Sequence, residues 1–149
     1  MRTVVTRVTA ASVSIDRVVV SQIAHGLLVL LGVASEDEVA DADYVASKIK
    51  DLRIFGDDEG RMNRSVLEVG GAVLVVSQFT LLADTRRGRR PSFIRAAAPD
   101  KARAFYEMLC DRLRAAGLPV STGVFQADMQ VSSINDGPVT IVVDSREAR

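Results

Sequence analysis

Two apolar runs set the terms for this chain: GLLVLLGV at residues 26–33 and AVLVVS at residues 72–77. Neither carries a charge, and each reads as a central strand buried on both faces. A strand without a polar face needs cover on two sides. A chain of 149 residues can supply that cover in one domain but not in two. Wholly apolar stretches such as residues 27–31 fall far short of a membrane span. The opening MRTVVTRVTAASVSI has no apolar segment followed by a cleavage site, so it reads as a strand and not as a leader.

The remaining elements follow from periodicity. Residues 3–15 are rich in β-branched side chains, and the alternation at Val13 and Ile15 resumes over residues 18–23. Ser35 and Glu38 match an S-x-x-E capping box, after which Val39, Ala42, Ala46, Ile49 and Leu52 recur at helical spacing with Asp41, Lys48 and Lys50 outside. A second helix is predicted from Pro99-Asp100, with Phe105, Met108, Leu109, Leu113 and Ala116 as its apolar stripe and Gly117 as its cap. Strands are expected near residues 120–125, 129–134 and 139–144, the last two joined as a hairpin through Asn135-Asp136-Gly137-Pro138. Two main helices among six or seven strands, out of strict βαβ order, predict an α+β fold with a mixed β-sheet, one domain over residues 1–149.

Composition removes several classes of function. The formal net charge is zero, so any nucleic-acid role has to come from local clustering. One cysteine, Cys110, provides no disulfide framework and no zinc site by itself, which fits a reducing, cytoplasmic setting, and it lies beside the second helix's apolar stripe as a structural thiol. The one histidine, His25, reads as a turn or surface residue. DDEGRMNRSVLE places carboxylates at positions 1, 3 and 12 of a calcium-type loop, but Met62 stands where glycine is required, so a polar turn around Gly60 is the better account. There is no Walker loop, G-x-G-x-x-G, G-x-S-x-G or H-E-x-x-H pattern. No cofactor and no metal site are expected.

Three places remain. At VVSQFTLLAD a buried strand runs into Ser77, Gln78 and Thr80, polar groups that a rigid element can aim at a ligand; a strand emerging into solvent has the same pattern. DTRRGRRPSF gathers Arg86, Arg87, Arg89 and Arg90 around Gly88, suited to phosphate oxygens or simply to water. Pro138 is the oddity. A hairpin needs only Asn-Asp-Gly, and a proline heading the next strand removes a ladder donor.

SQFTLLAD, RRPSF and NDGPVT, in that order and at these distances, closely resemble the D-aminoacyl-tRNA deacylases. RVTAASV, GLLVLLGV, DADYVASKI, LRIF, GRMN and TGVFQADMQV extend the likeness over essentially the whole chain. Leu82, Ser133 and Arg89 depart from residues common in that family.

The resemblance implies a homodimeric, metal-independent esterase with its active site at the subunit interface. Its substrates would be D-aminoacyl-tRNA and glycyl-tRNA, and L-aminoacyl-tRNA would be rejected. It implies a cis Gly137-Pro138 peptide that reaches into the partner's site, where its carbonyls accept from the substrate ammonium and crowd an L side chain. It assigns Ser77, Gln78, Phe79 and Thr80 to catalysis, with the Phe79 and Thr80 N–H groups as an oxyanion hole and Thr80 positioning the substrate. It would place Asn135 with Gly137 and Pro138 in chiral selection and substrate binding, with Thr140 supporting the loop and Met129 lining the pocket floor, and the four arginines would meet tRNA phosphates. Two other readings stay open: a non-catalytic RNA-binding dimer, and a hydrolase of another activated acyl adduct.

Overall fold

The computed structural model describes residues 1–147. Its central sheet runs β2 (Val18–Ile23), β1 (Arg2–Ile15), β3 (Gly26–Gly32), β6 (Ala72–Ser77), β7 (Val120–Thr122), with β8 (Gln130–Asp144) on the other side of β1. The β3–β6 and β6–β7 pairs are parallel and the rest antiparallel, so the sheet is mixed. A small hairpin, β4 (Phe55–Gly56) with β5 (Met62–Arg64), stands apart. Asp57 caps its turn by accepting from the Glu59 and Arg61 N–H groups, and Gly60 supplies a φ of 77°, the polar turn expected there.

The two apolar runs are central strands with both faces covered. Leu27, Val29, Leu31, Val73 and Val75 face α1 (Val39–Asp51) and α2 (Pro99–Ala115). Leu28, Leu74 and Val76 point the opposite way, into a second cluster with Val8, Val13 and Ile23 where the sheet curls over itself.

Both helices form, with local corrections. The Ser35–Glu38 capping box does not. Asp37 instead accepts from the Ala34 N–H and the Met1 ammonium, fixing residues 34–37 as a turn, so α1 begins after Glu38, whose N–H bonds Asp41 at 2.8 Å. Asp41 is therefore buried rather than outside, while Val39 is exposed. α2 begins at Pro99 as predicted and Gly117 takes a φ of 90°, but Tyr106 is more deeply buried than Phe105 or Met108, its hydroxyl donating to Val75 O at 2.9 Å.

The larger correction concerns the C-terminal hairpin. Residues 130–144 are one antiparallel strand along β1, from Ser14↔Gln130 to Arg2↔Asp144. The pairing jumps from Val8↔Asn135 to Thr6↔Thr140, so Asp136, Gly137, Pro138 and Val139 stand opposite Arg7 alone. The Asn-Asp-Gly-Pro signal marks a wide bulge that leaves the strand and returns to it.

Candidate functional site

Because β3 and β6 run parallel, both deliver their C-terminal ends to one rim, with Leu31 opposite Ser77. The Gln78 N–H donates to Leu31 O at 2.7 Å, and the chain then winds into a short 3-10 turn, Phe79–Leu82. Gly32 makes that close approach feasible, since a Cβ there would come within 2.3 Å of Leu82. The first N–H groups of such a turn, those of Phe79 and Thr80, have no carbonyl within the turn to bond. Gln78 donates its side-chain amide to the Thr80 hydroxyl.

Ser77, Gln78 and Phe79 form one wall of a cavity of about 610 Å³. Ala97, Pro99 and Ala102, around the start of α2, form a second wall, and residues 125–129 with Val131 a third. Met129 is part of the lining; Thr80 is outside it. The Met129 sulfur accepts from the Val124 N–H at 3.3 Å, fixing the segment that carries it. Phe79 is exposed and packs edge-on against Phe93, ring centres 5.1 Å apart.

The Gly137–Pro138 peptide is cis, and neither residue lines this cavity of the same chain. Side chains hold the bulge at its base. Asn135 accepts from the Val139 N–H and donates to the Thr140 hydroxyl, both at 2.9 Å, and Thr140 meets Thr6 at 3.4 Å. Arg7 bonds the Asp136 carbonyl at 3.1 Å and its carboxylate at 3.0 Å, and reaches across to Ile54 O. Arg7 lies within RVTAASV, but a lone arginine in a β-branched strand carries no signal of a partner far away in sequence.

The arginine loop is closed at its base by paired backbone bonds between Asp84 and Ser92, 2.8 and 3.0 Å. Arg86 is committed to Asp84, at 2.6 and 2.9 Å, and its side chain and N–H together hold that carboxyl well below the usual carboxylate range. Arg87, Arg89 and Arg90 are exposed, and Gly88 at a φ of 70° turns the loop. Cys110 is buried in the core, where burial pushes its thiol up to about 11. His25 is exposed against the edge of Phe55, ring centres 5.0 Å apart.

Residues 4–144 match the family model described as D-Tyr-tRNA(Tyr) deacylase. A protein of Symbiobacterium thermophilum named D-aminoacyl-tRNA deacylase is 56% identical, covering 99% of this chain and 97% of that one. One of Anaeromyxobacter dehalogenans with the same name is 59% identical over 98% of each. Among solved structures, one described as c-Myc DNA Unwinding Element Binding Protein superposes with a TM-score of 0.91 at 38% identity, over 97% of this chain and 98% of the other. A probable eukaryotic D-amino acid tRNA deacylase shares the fold, with a TM-score of 0.80 at 19% identity over 95% of this chain and 97% of the other. With this much of its length matched, and more than half its residues shared with two bacterial relatives, the chain belongs to the D-Tyr-tRNA(Tyr) deacylase family.

Proposed function

We propose that this chain hydrolyses the ester joining a D-amino acid to the terminal ribose of tRNA, releasing free D-amino acid and tRNA and sparing L-esters. The observation that carries the reading is its identity of 56% and 59%, over nearly the full length, to two proteins named for that reaction. The geometry suits it. An aminoacyl ester is already activated, so a site of hydrogen-bond donors without a nucleophile–base pair is adequate. Water adds to the ester carbonyl; the oxyanion takes the N–H groups of Phe79 and Thr80; the carbon–oxygen bond to ribose then breaks. The proton lost by water passes to the departing ribose oxygen, with the neighbouring 2′-hydroxyl as relay. Removing one oxyanion donor costs roughly 2.7–4 kcal/mol in other acyl-transfer enzymes. Gln78 orients the substrate and keeps the Thr80 hydroxyl in place.

Chiral selection belongs to the bulge. In a homodimer the Gly137–Pro138 carbonyls of one subunit enter the cavity of the other, accept from the substrate ammonium and leave no room for an L side chain. A filter made of backbone does not depend on which D side chain is present, and glycine passes it, so glycyl-tRNA is a substrate too. Two features favour the dimer: the bulge does not line its own chain's cavity, and among the described residues β8 has no strand on its outer edge while exposing Val131, Ile134 and Val142. We place the reaction in the cytoplasm, where aminoacyl-tRNA is made.

A second reading, nucleic-acid binding without hydrolysis, is favoured by the exposed Arg87, Arg89 and Arg90 and by the DNA-binding name of the 38% identical structure. The deciding experiment sets D-Tyr-tRNA beside L-Tyr-tRNA with the purified protein and a chelator. Loss of the D-ester alone is expected. Survival of both esters defeats the esterase reading, and turnover of simple acyl esters in preference to tRNA points to another acyl adduct.

A further inference from the structure

Three described residues other than glycine have a positive φ: Asp16, Arg17 and Gln126. The first two are the two-residue link between paired Ile15 and Val18, where a tight hairpin turn calls for that conformation. Gln126 is different. The Ala127 N–H bonds Val124 O at 3.2 Å, making residues 124–127 a β-turn with Gln126 at its third position and a φ of 66°. That is the arrangement of a type II turn, whose third position favours glycine or asparagine. A long amide is held there against the backbone's preference, and departures of this kind gather at functional sites.

The turn is firmly seated. Met129 anchors it at Val124, and the Phe125 ring lies under the Arg103 guanidinium at 4.8 Å and beside Tyr106 at 6.0 Å. Gln126 lines the cavity across from Ser77 and Gln78, and its own amide makes no hydrogen bond among the described residues.

We propose that Gln126 is a specificity residue that reads the adenine of the ester-bearing nucleotide. This rests on the tRNA-ester reading of the cavity. With the ester at Ser77–Gln78, the rest of the nucleoside extends toward Phe125 and Gln126, and a space of about 610 Å³ holds a nucleoside. The apolar surface of Phe125, Ala97 and Pro99 suits a flat base. A glutamine amide offers a donor beside an acceptor, the complement of the adenine 6-amino group and its adjacent ring nitrogen.

The test is binding of AMP and of purine riboside monophosphate, which lacks the 6-amino group, measured by calorimetry. The wild type is expected to prefer AMP about tenfold, and Gln126→Gly to lose that preference. Its melting temperature should hold or rise, because glycine suits this φ. Gln126→Asn, shorter but also at ease there, is the second variant and should lose the preference likewise. With D-Tyr-tRNA, KM should rise about tenfold while kcat stays within about twofold, a split that general damage to the site does not give. Equal AMP binding by wild type and both variants, or no AMP binding by the wild type at millimolar concentration, overturns the proposal. Gln126-dependent AMP binding in a protein that leaves D-Tyr-tRNA intact supports it and defeats the esterase reading instead.

Discussion

Arg7 and Gly137 are matched across the bulge: the Arg7 Nη2 lies 2.8 Å from the point a Cβ on residue 137 would occupy. Residue 137 also has a φ of 120°, where side chains are rarely tolerated. Glycine at 137 is therefore favoured by its backbone conformation and by the guanidinium beneath it, which Asp136 and Ile54 O hold in place. Gly137→Ala is expected to cost about 1–3 kcal/mol of local strain, to leave the fold intact by circular dichroism, and to lower D-Tyr-tRNA hydrolysis at least about tenfold. Arg7→Ala should do the same by loosening Asp136, and Arg7→Lys should not restore activity, since one ammonium cannot reach Asp136 and Ile54 O together as the guanidinium does. Wild-type rates in all three variants would sink this account.

Thr80 separates positioning from nucleophilic attack. Its oxygen accepts from Gln78, an amide that cannot take a proton from it. Thr80→Val keeps the shape and removes the hydroxyl, and kcat should fall by about tenfold to a hundredfold. A drop of about ten-thousandfold or more, with a trapped acyl-enzyme in the wild type, would make Thr80 the nucleophile.

The arginines of the loop should not be equivalent. Arg86 is occupied by Asp84, whereas Arg87, Arg89 and Arg90 are exposed. Replacing any of these three by alanine should weaken tRNA binding and flatten its dependence on salt by about 0.7–0.9 in log–log slope for each phosphate no longer neutralised. Arg86→Ala should change the slope less. Titration of KM against potassium chloride checks both, and four equal effects would contradict the commitment of Arg86 to Asp84.

Acid sensitivity has an identifiable source at the far end of the β1–β8 pair. Burial works to raise the Asp144 carboxyl, but the Arg146 N–H and Arg2, whose Nε donates at 2.8 Å, outweigh it and hold it below its ordinary 3.8. A depressed carboxyl contributes stability above its unfolded value and loses it as pH falls through the folded one. Asp144→Asn should thus melt lower than wild type at pH 7, and the two curves should converge as pH drops below 3.8. A gap that persists in strong acid would rule this out.

The core strands were legible because burial on both faces leaves its mark in the residues themselves, as Leu27 to Leu31 and Val73 to Val76 attest. The polar turn at Gly60 and the limits of α2 were legible for the same local reason. What failed depended on partners far away in sequence. Ser35 was displaced as a cap by the bond between Asp37 and Met1, Asp41 was drawn inward, and the apparent hairpin became a bulge once both flanks found β1. In the candidate site, the motif residues Ser77, Gln78, Phe79 and Met129 meet at one cavity, whereas Arg7 and Gln126 went unassigned. A single arginine and a single glutamine acquire meaning only from what the fold sets beside them.

The pairing of β1 with β8 also orders events during synthesis. Arg2 waits for Asp144 and Ser14 for Gln130, so the strand made first acquires its second neighbour from the strand made last. Contacts so distant in sequence close late. Until residues 130–144 leave the ribosome, β1 has one open edge, and the bulge at Asp136 to Val139 does not yet exist. A nascent chain stopped short of β8 therefore carries the residues of the Ser77 rim without the segment proposed to tell one stereoisomer from the other.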